Sequence, residues 1–177
     1  MKTLTSHIYE TLKIGKNLSN FSTYSCQPKT KDELEMIISE RIQRDGFYCD
    51  LNDIDVSLIT NMSGLFYYYD FNGDISKWNV SNVTNMTKMF SYSKFNGDIS
   101  KWNVSNVVTM HGMFERSKFN GDISSWNVSK VNDMYSMFLY SKFNQDISHW
   151  KINKDCDKKH MFANCPIKEE RKPKTTR

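Results

Sequence analysis

Proline is nearly missing from this chain, with three residues in 177. Few positions therefore lose a backbone N–H or have φ locked, and long stretches are free to sustain hydrogen-bonded ladders. No run of about 18 apolar residues exists, so no membrane-spanning helix is expected. The opening MKTLTSHIYETLKIGKN has no continuous apolar core and no small-residue cleavage site, so it is not read as a secretory signal. No wall-anchor or lipidation signal is read at the other end, and composition alone assigns no compartment. The four cysteines, Cys26, Cys49, Cys156 and Cys165, form no C-x-x-C pair. Their even count permits disulfides, but no secretory context supports them.

The residues of catalysis are also thinly spread. Four histidines, His7, His111, His149 and His160, fall on separate stretches, with no nucleophile and carboxylate grouped around any of them. No glycine-rich phosphate loop is present. Cys156, His160 and Cys165, with Asp155 and Asp157, match no standard metal-ligand spacing. No enzyme, cofactor or metal site is expected on these grounds. Charge is equally unremarkable overall, at net +4. From Lys151 onward there are nine Lys/Arg against four Asp/Glu, which leaves the first 150 residues at −1. A body with that balance is not of the strongly basic, nucleic-acid-binding kind.

What the chain does have is repetition. FNGDISKWNV stands at 71–80 and again at 95–104, FNGDISSWNV at 119–128, and a looser FNQDISHWKI at 143–152. The period is 24 residues. Phe71, Phe95, Phe119 and Phe143 share one column; Ile75, Ile99, Ile123 and Ile147 share another. Trp78, Trp102, Trp126 and Trp150 form a third, followed by columns of Val, Met and a second Phe. Worn copies extend the register upstream to Leu51 and downstream to Ile167, as capping repeats do. The array is therefore read as about five units over 51–167.

Within a unit, I75-x-x-W78-x-V80-x-x-V83 reproduces the apolar spacing of a leucine-rich repeat. Alternation at Trp78 and Val80 predicts a short strand. The spacing of Val83, Met86, Met89 and Phe90 then predicts one or two turns of helix, and N-G-D predicts the turn into the next unit. The expected fold is an α/β repeat solenoid, a leucine-rich-repeat-like right-handed coil with one short strand and one short helix per 24 residues. A capping helix is predicted at about 31–44 within residues 30–50, from the T30-x-x-E33 box, the face of Leu34, Ile37, Ile38 and Ile42, and Gly46 as its stop. Residues 1–29 are expected to be partly helical or flexible, with a short helix around Ile8 and Leu12. Residues 168–177 are expected to form a solvated, disordered basic tail.

The phrase W-N-V-S-N-V-T-N-M-x-x-M-F-x-x-x-x-F-N-G-D-I-S, behind a capped helix and L-N-D-I-D-V-S, resembles the BspA-type leucine-rich-repeat surface proteins. Similar repeats occur in mycoplasma lipoproteins. The resemblance covers about Thr30 to Ile167. It implies a leucine-rich-repeat-like fold, a cell-surface or extracellular setting, binding or adhesion to proteins, and no catalytic residues.

Three sets of repeated polar residues are candidate sites. In the Asn/Asp turn column, Asn72, Asn96, Asn120 and Asn144 stack, as do Asp74, Asp98, Asp122 and Asp146; the carboxylates can hold cations between coils, or accept N–H groups of their own turns, which is the favoured reading. The rows Lys77–Lys101–Ser125–His149, Asn79–Asn103–Asn127–Lys151 and Ser81–Ser105–Ser129–Asn153 hardly vary, whereas a partner is not periodic. They are read as hydrogen-bonded ladders. Diversity lies in the column Tyr68, Tyr92, Arg116, Tyr140 and Asn164, with Lys94, Lys118 and Lys142 nearby. Exposed Tyr and Arg are typical contact residues. The expected function is non-enzymatic binding of a protein or glycan by a monomer through this edge. Two other readings stay open: a structural or accessory module of a phage or mobile element, and a polysaccharide-acting repeat enzyme.

Overall fold

In a computed structural model, residues 24–174 are described. The helix α1, Lys31–Asp45, begins where Thr30 accepts the Glu33 N–H at 3.2 Å. The Glu33 carboxylate returns to the Lys29 N–H at 2.7 Å, so one of the helix's first free donors and the N–H just before the cap are satisfied. At its other end Gly46 turns the chain at φ 85° and donates to Ile42 O. Leu34, Ile38 and Ile42 are buried in the same apolar cluster as Leu51 and Ile54 of the first unit. Arg41 locks the contact, reaching Asp53 Oδ2 at 2.8 Å and Asp50 O at 3.1 Å. Before α1, Cys26 pairs in parallel with Ile54, with Ser25 N–H donating to Asp53 O and Asp55 N–H to Cys26 O. The helix expected around Ile8 and Leu12 lies outside the described residues.

The 24-residue units do not contain the expected strand and helix. Among the described residues α1 is the only α-helix, and pairing between units is confined to isolated parallel bridges such as Asn61↔Asn85↔Thr109↔Asp133↔Asp157. The leucine-rich-repeat-like α/β coil is therefore not what this chain forms. Each unit is a succession of tight turns. Asp74 Oδ1 accepts the Ser76 N–H, and Trp78 N–H closes on Ile75 O. Asn79 Oδ1 accepts from Ser81, and Val83 closes on Val80. Asn85 Oδ1 accepts from Thr87, and Met89 closes on Met86.

The responsible sequence is a five-residue phrase, Asp/Asn–apolar–Ser/Thr–x–apolar, met three times per unit: D74-I-S-K-W78, N79-V-S-N-V83 and N85-M-T-K-M89. The side-chain carbonyl of the first residue mimics a backbone acceptor and bends the chain before an extended run can form. Apolar residues three apart are therefore the two ends of a turn, both facing inward, rather than one face of a helix. The N–H groups agree. In one stretch of each unit they alternate, Met86, Lys88, Phe90 and Tyr92 donating to Thr109, His111, Met113 and Glu115 of the next unit. Met89, Ser91 and Ser93 donate back within their own. Neither an i→i−4 helix nor a continuous ladder can use that alternation.

Packing follows the columns. Phe66, Phe90, Phe114, Phe138 and Phe162 stack at 5.4, 5.6, 5.6 and 5.8 Å between ring centres. Phe71, Phe95, Phe119 and Phe143 stack at 6.2–6.3 Å beside them. Each Trp threads between units: Trp102 Nε1 donates to Ile75 O at 3.1 Å, an oxygen that also accepts Trp78 N–H. The same bond recurs from Trp78, Trp126 and Trp150. Gly73 is required by close approach, since a Cβ there would lie 2.0 Å from Cys49 O.

The end of the chain is not the free tail expected for 168–177, up to the last described residue, 174. Glu169–Arg171 form a 3-10 turn, Ile147 N–H donates to Arg171 O, and the Arg171 guanidinium bonds Asn144 O. Lys172 sits 5.6 Å from the centre of the Phe162 ring. No described helix is long and apolar enough to cross a membrane.

Candidate functional site

The candidate columns occupy one edge of the stack, and the backbone there is unusual. Tyr68, Tyr92, Arg116, Tyr140 and Asn164 have φ of 57, 59, 52, 55 and 52°, the left-handed region, in all five units. A second column, Gly64, Lys88, Gly112, Ser136 and His160, shares that region. Non-glycine residues adopt it at a cost of about 1–2 kcal/mol each, and Asn tolerates it best among them. At the 88 column, small or flexible residues dominate. At the 92 column, Tyr and Arg stand where Gly or Asn would be less strained.

Those side chains form one exposed stack. Tyr68 lies on Tyr92 with ring centres 4.2 Å apart and planes 15° from parallel. The Arg116 guanidinium continues it, 5.5 Å from the centre of Tyr92 and 4.3 Å from that of Tyr140. Tyr67 meets Tyr68 edge-on at 4.6 Å. Tyr68 is 60% and Tyr140 48% exposed, in contrast with the 4% of every Trp. Backbone bonds hold the spacing, from Tyr68 N to Ser91 O, Tyr92 N to Glu115 O, Arg116 N to Leu139 O and Tyr140 N to Ala163 O.

Two residues further along each unit, Lys94, Lys118 and Lys142 line a groove of about 470 Å³ with Tyr48, Asn72 and Asn96. Lys94 pairs with Asp70 at 2.7 Å, while Lys118 and Lys142 have no carboxylate partner among the described residues. The structure thus brings all seven predicted edge residues into one neighbourhood, Tyr and Arg as a stack and Lys as a row. Tyr48 was not singled out, and the Asn column was read as part of the turn column with the Asp residues rather than of this edge. The signal was the triplet K-F-N at 94–96, 118–120 and 142–144, where an inward Phe puts the flanking Lys and Asn on the same outer face.

The other candidates resolve differently. Asp74, Asp98, Asp122 and Asp146 each accept their own turn's N–H at 2.8–2.9 Å, from Ser76, Ser100, Ser124 and Ser148. Those bonds hold the carboxyls below the usual carboxylate range. Asn79, Asn103 and Asn127 likewise bond within their own unit, to Ser81, Ser105 and Ser129, so the predicted ladder between units is not there. Asn82 and Asn106 link units instead, donating to Ser57 O and Ser81 O at 2.8 Å. All four cysteines are free, and burial raises the pKa of Cys26, Cys49 and Cys156. Cys165 donates to Phe143 O from the column that holds Ser93, Ser117 and Ser141. Among the described residues no three His, Cys, Asp or Glu side chains gather as a metal site.

No curated protein and no solved structure matches the chain. One family does, described as "Mycoplasma protein of unknown function, DUF285", in two overlapping stretches, 36–138 and 71–173, shifted against each other by about a unit and a half. Together they span α1 from Met36 and all five stacked units, and so this repeat protein belongs to the DUF285 family of mycoplasma-type proteins.

Proposed function

We propose that the chain is a non-enzymatic binding module, adhesin-like in the manner of the BspA-type proteins its repeats resemble. Its contact face is the edge of Tyr68, Tyr92, Arg116 and Tyr140 with Lys94, Lys118 and Lys142. The observation that carries this reading is the choice of residues at the left-handed column. An aromatic pair returns about 0.5–1.5 kcal/mol and an exposed cation–π contact about 0.5–1. The left-handed backbone costs about 1–2 per residue. The stack therefore returns little net stability, and Asn, as at Asn164, would serve folding as well. Large, stiff, half-exposed side chains held at a sacrifice of local comfort are what a contact surface needs.

The test is the triple variant Y92N/R116N/Y140N, screened beside the wild type on immobilised glycans and purified surface proteins. The expected result is at least one ligand held by the wild type and lost by the variant, with the thermal midpoint unchanged or raised. Retention of every ligand by the variant would remove this edge as the contact face.

A further inference from the structure

The stack is capped by α1 at one end and open at the other. In each of the first four units alternate N–H groups leave for the next unit. In the fourth, Met134, Ser136, Phe138 and Tyr140 donate to the carbonyls of Asp157, Lys159, Met161 and Ala163. The same positions of the fifth unit are Lys158, His160, Phe162 and Asn164, and their N–H groups have no acceptor among the described residues. The closing segment pairs elsewhere, Arg171 O accepting Ile147 N–H, and a cavity of about 460 Å³ lies between that segment and the fifth unit. Phe162 and Ile152 line the cavity and are only half-buried, whereas the earlier residues of their two columns are fully buried.

The rim is cationic. Lys154, Lys158, Lys172 and Lys174 line the cavity with one carboxylate, Glu169, which Lys172 takes up at 2.5 Å. Lys158 stands in the column where the earlier units have Met. Its ammonium donates to Cys156 O at 3.2 Å, which leaves the charge unneutralised. Lys154 and Lys174 have no carboxylate partner among the described residues. Asp155, Asp157 and Glu170 lie outside the lining.

We infer that this open end binds an extended acidic segment of a partner protein, laid along the fifth unit as a sixth turn of the stack. The donors select a peptide. In all four earlier units, N–H groups at every second residue meet carbonyls at every second residue of the neighbouring segment. A peptide backbone carries that repeat intrinsically, as in strand addition to an open edge. The rim selects its charge, since lysines along an open edge repel a like-charged chain and admit one of opposite sign. Lys172 then turns from Glu169 and the Phe162 ring to a carboxylate of the segment, exchanging one surface ion pair for another. A second copy does not fit. Its complementary end is covered by α1, whose Leu34, Ile38 and Ile42 pack with Leu51 and Ile54, and two open ends would meet donor to donor. The site does not depend on the reading of the Tyr–Arg edge.

The probe is the end-blocked peptide EMEEMFE, with Met, Met and Phe at the spacing of Met134, Met137 and Phe138. It is titrated into the full, isotope-labelled chain beside two controls, KMKKMFK and the rearranged MMFEEEE, with hydrogen exchange read amide by amide. In the free chain the amides of Lys158, His160, Phe162 and Asn164 are expected to exchange at least about a hundredfold faster than those of Met134, Ser136, Phe138 and Tyr140. Saturating EMEEMFE is expected to slow the fast set at least about tenfold. Saturation is expected below about 1 mM, about tenfold tighter than with either control. In K154E/K174E, first shown to melt like the wild type, binding is expected to weaken at least about tenfold. Slow exchange of the four amides in the free chain, no saturation below that concentration, or binding that leaves those amides fast each overturns the inference. So does equal binding of a control peptide or an unaffected K154E/K174E. Self-association, or single-stranded RNA that protects the same amides more strongly, gives the open end to another occupant and overturns it too. Y92N/R116N/Y140N is expected to bind EMEEMFE as the wild type does, so either surface can fail without the other.

Discussion

Two aromatic columns run the length of this protein at the same 24-residue period, and they do opposite things. The Trp column is buried, lies on ordinary backbone, and spends each indole N–H on a carbonyl of the preceding unit. The Tyr68–Tyr92–Arg116–Tyr140 column is exposed and stands on left-handed backbone. It stacks along its own length, with Tyr67 edge-on beside it. Period and aromatic character are thus no guide to role. What separates the columns is where the turns place them: each Trp closes an Asx-type bend and faces inward, whereas the Tyr68–Tyr92–Arg116–Tyr140 position, at a left-handed residue, faces outward.

The contrast can be broken first at the Trp column. Trp102→Ala is expected to cost about 3–5 kcal/mol, through a large cavity and the loss of the indole bond to Ile75 O, measured by urea denaturation. A loss below about 1 kcal/mol would mean that the indoles do not tie the units together. Tyr92→Val comes next. A β-branched residue at φ 59° is expected to lose about 1–3 kcal/mol, although the position is exposed, because the strain is in the backbone.

The turns themselves predict a pH response. Asp74, Asp98, Asp122 and Asp146 have folded pKa values below their unfolded ones. Their contribution is therefore complete above the unfolded carboxylate pKa near 4 and is lost as pH falls through the lower folded values. The thermal midpoint should be flat above about pH 5 and fall below about pH 4. In Asp98→Asn and Asp122→Asn together, where the amide oxygen still accepts the Ser N–H, that acid decline should shrink; an unchanged decline would assign it to other carboxylates. The smallest effect expected is Tyr92→Asn, within about 0.5 kcal/mol of wild type by the same denaturation, since relieved strain offsets the lost stacking. Tyr92→Asn and Tyr92→Val differing by less than that would make the left-handed backbone irrelevant at this column.

Much of the fold was legible. The unit length, the inward columns and the capping helix all follow from apolar residues recurring at 24 and from a Thr–Glu box followed by a four-residue apolar spacing. The error lay inside the unit. Spacings of three, as in Val83–Met86–Met89, suit a helix face and also a chain of turns, and apolar positions alone do not distinguish them. The residues between them do: Asn85 and Thr87 around Met86, or Asp74 and Ser76 around Ile75, mark bends that helices and strands avoid. The candidate site was half legible. Variation between copies picked out Tyr92 and Arg116, but their left-handed backbone and the unit-to-unit bonds of the Asn column depend on residues 23 or 24 positions away.

The sequence by itself determined which side chains stack from unit to unit, because identical columns at a fixed period meet their own copies at every step. It also determined where the chain bends, because an Asp or Asn carbonyl two residues before a Ser or Thr N–H closes a bend without help from elsewhere. Only the tertiary structure decided that alternate N–H groups would leave the unit for the next one. That choice denies each unit a helix or strand of its own and sets Tyr and Arg upright along one edge, since a backbone donor takes whichever acceptor the neighbouring unit brings within reach.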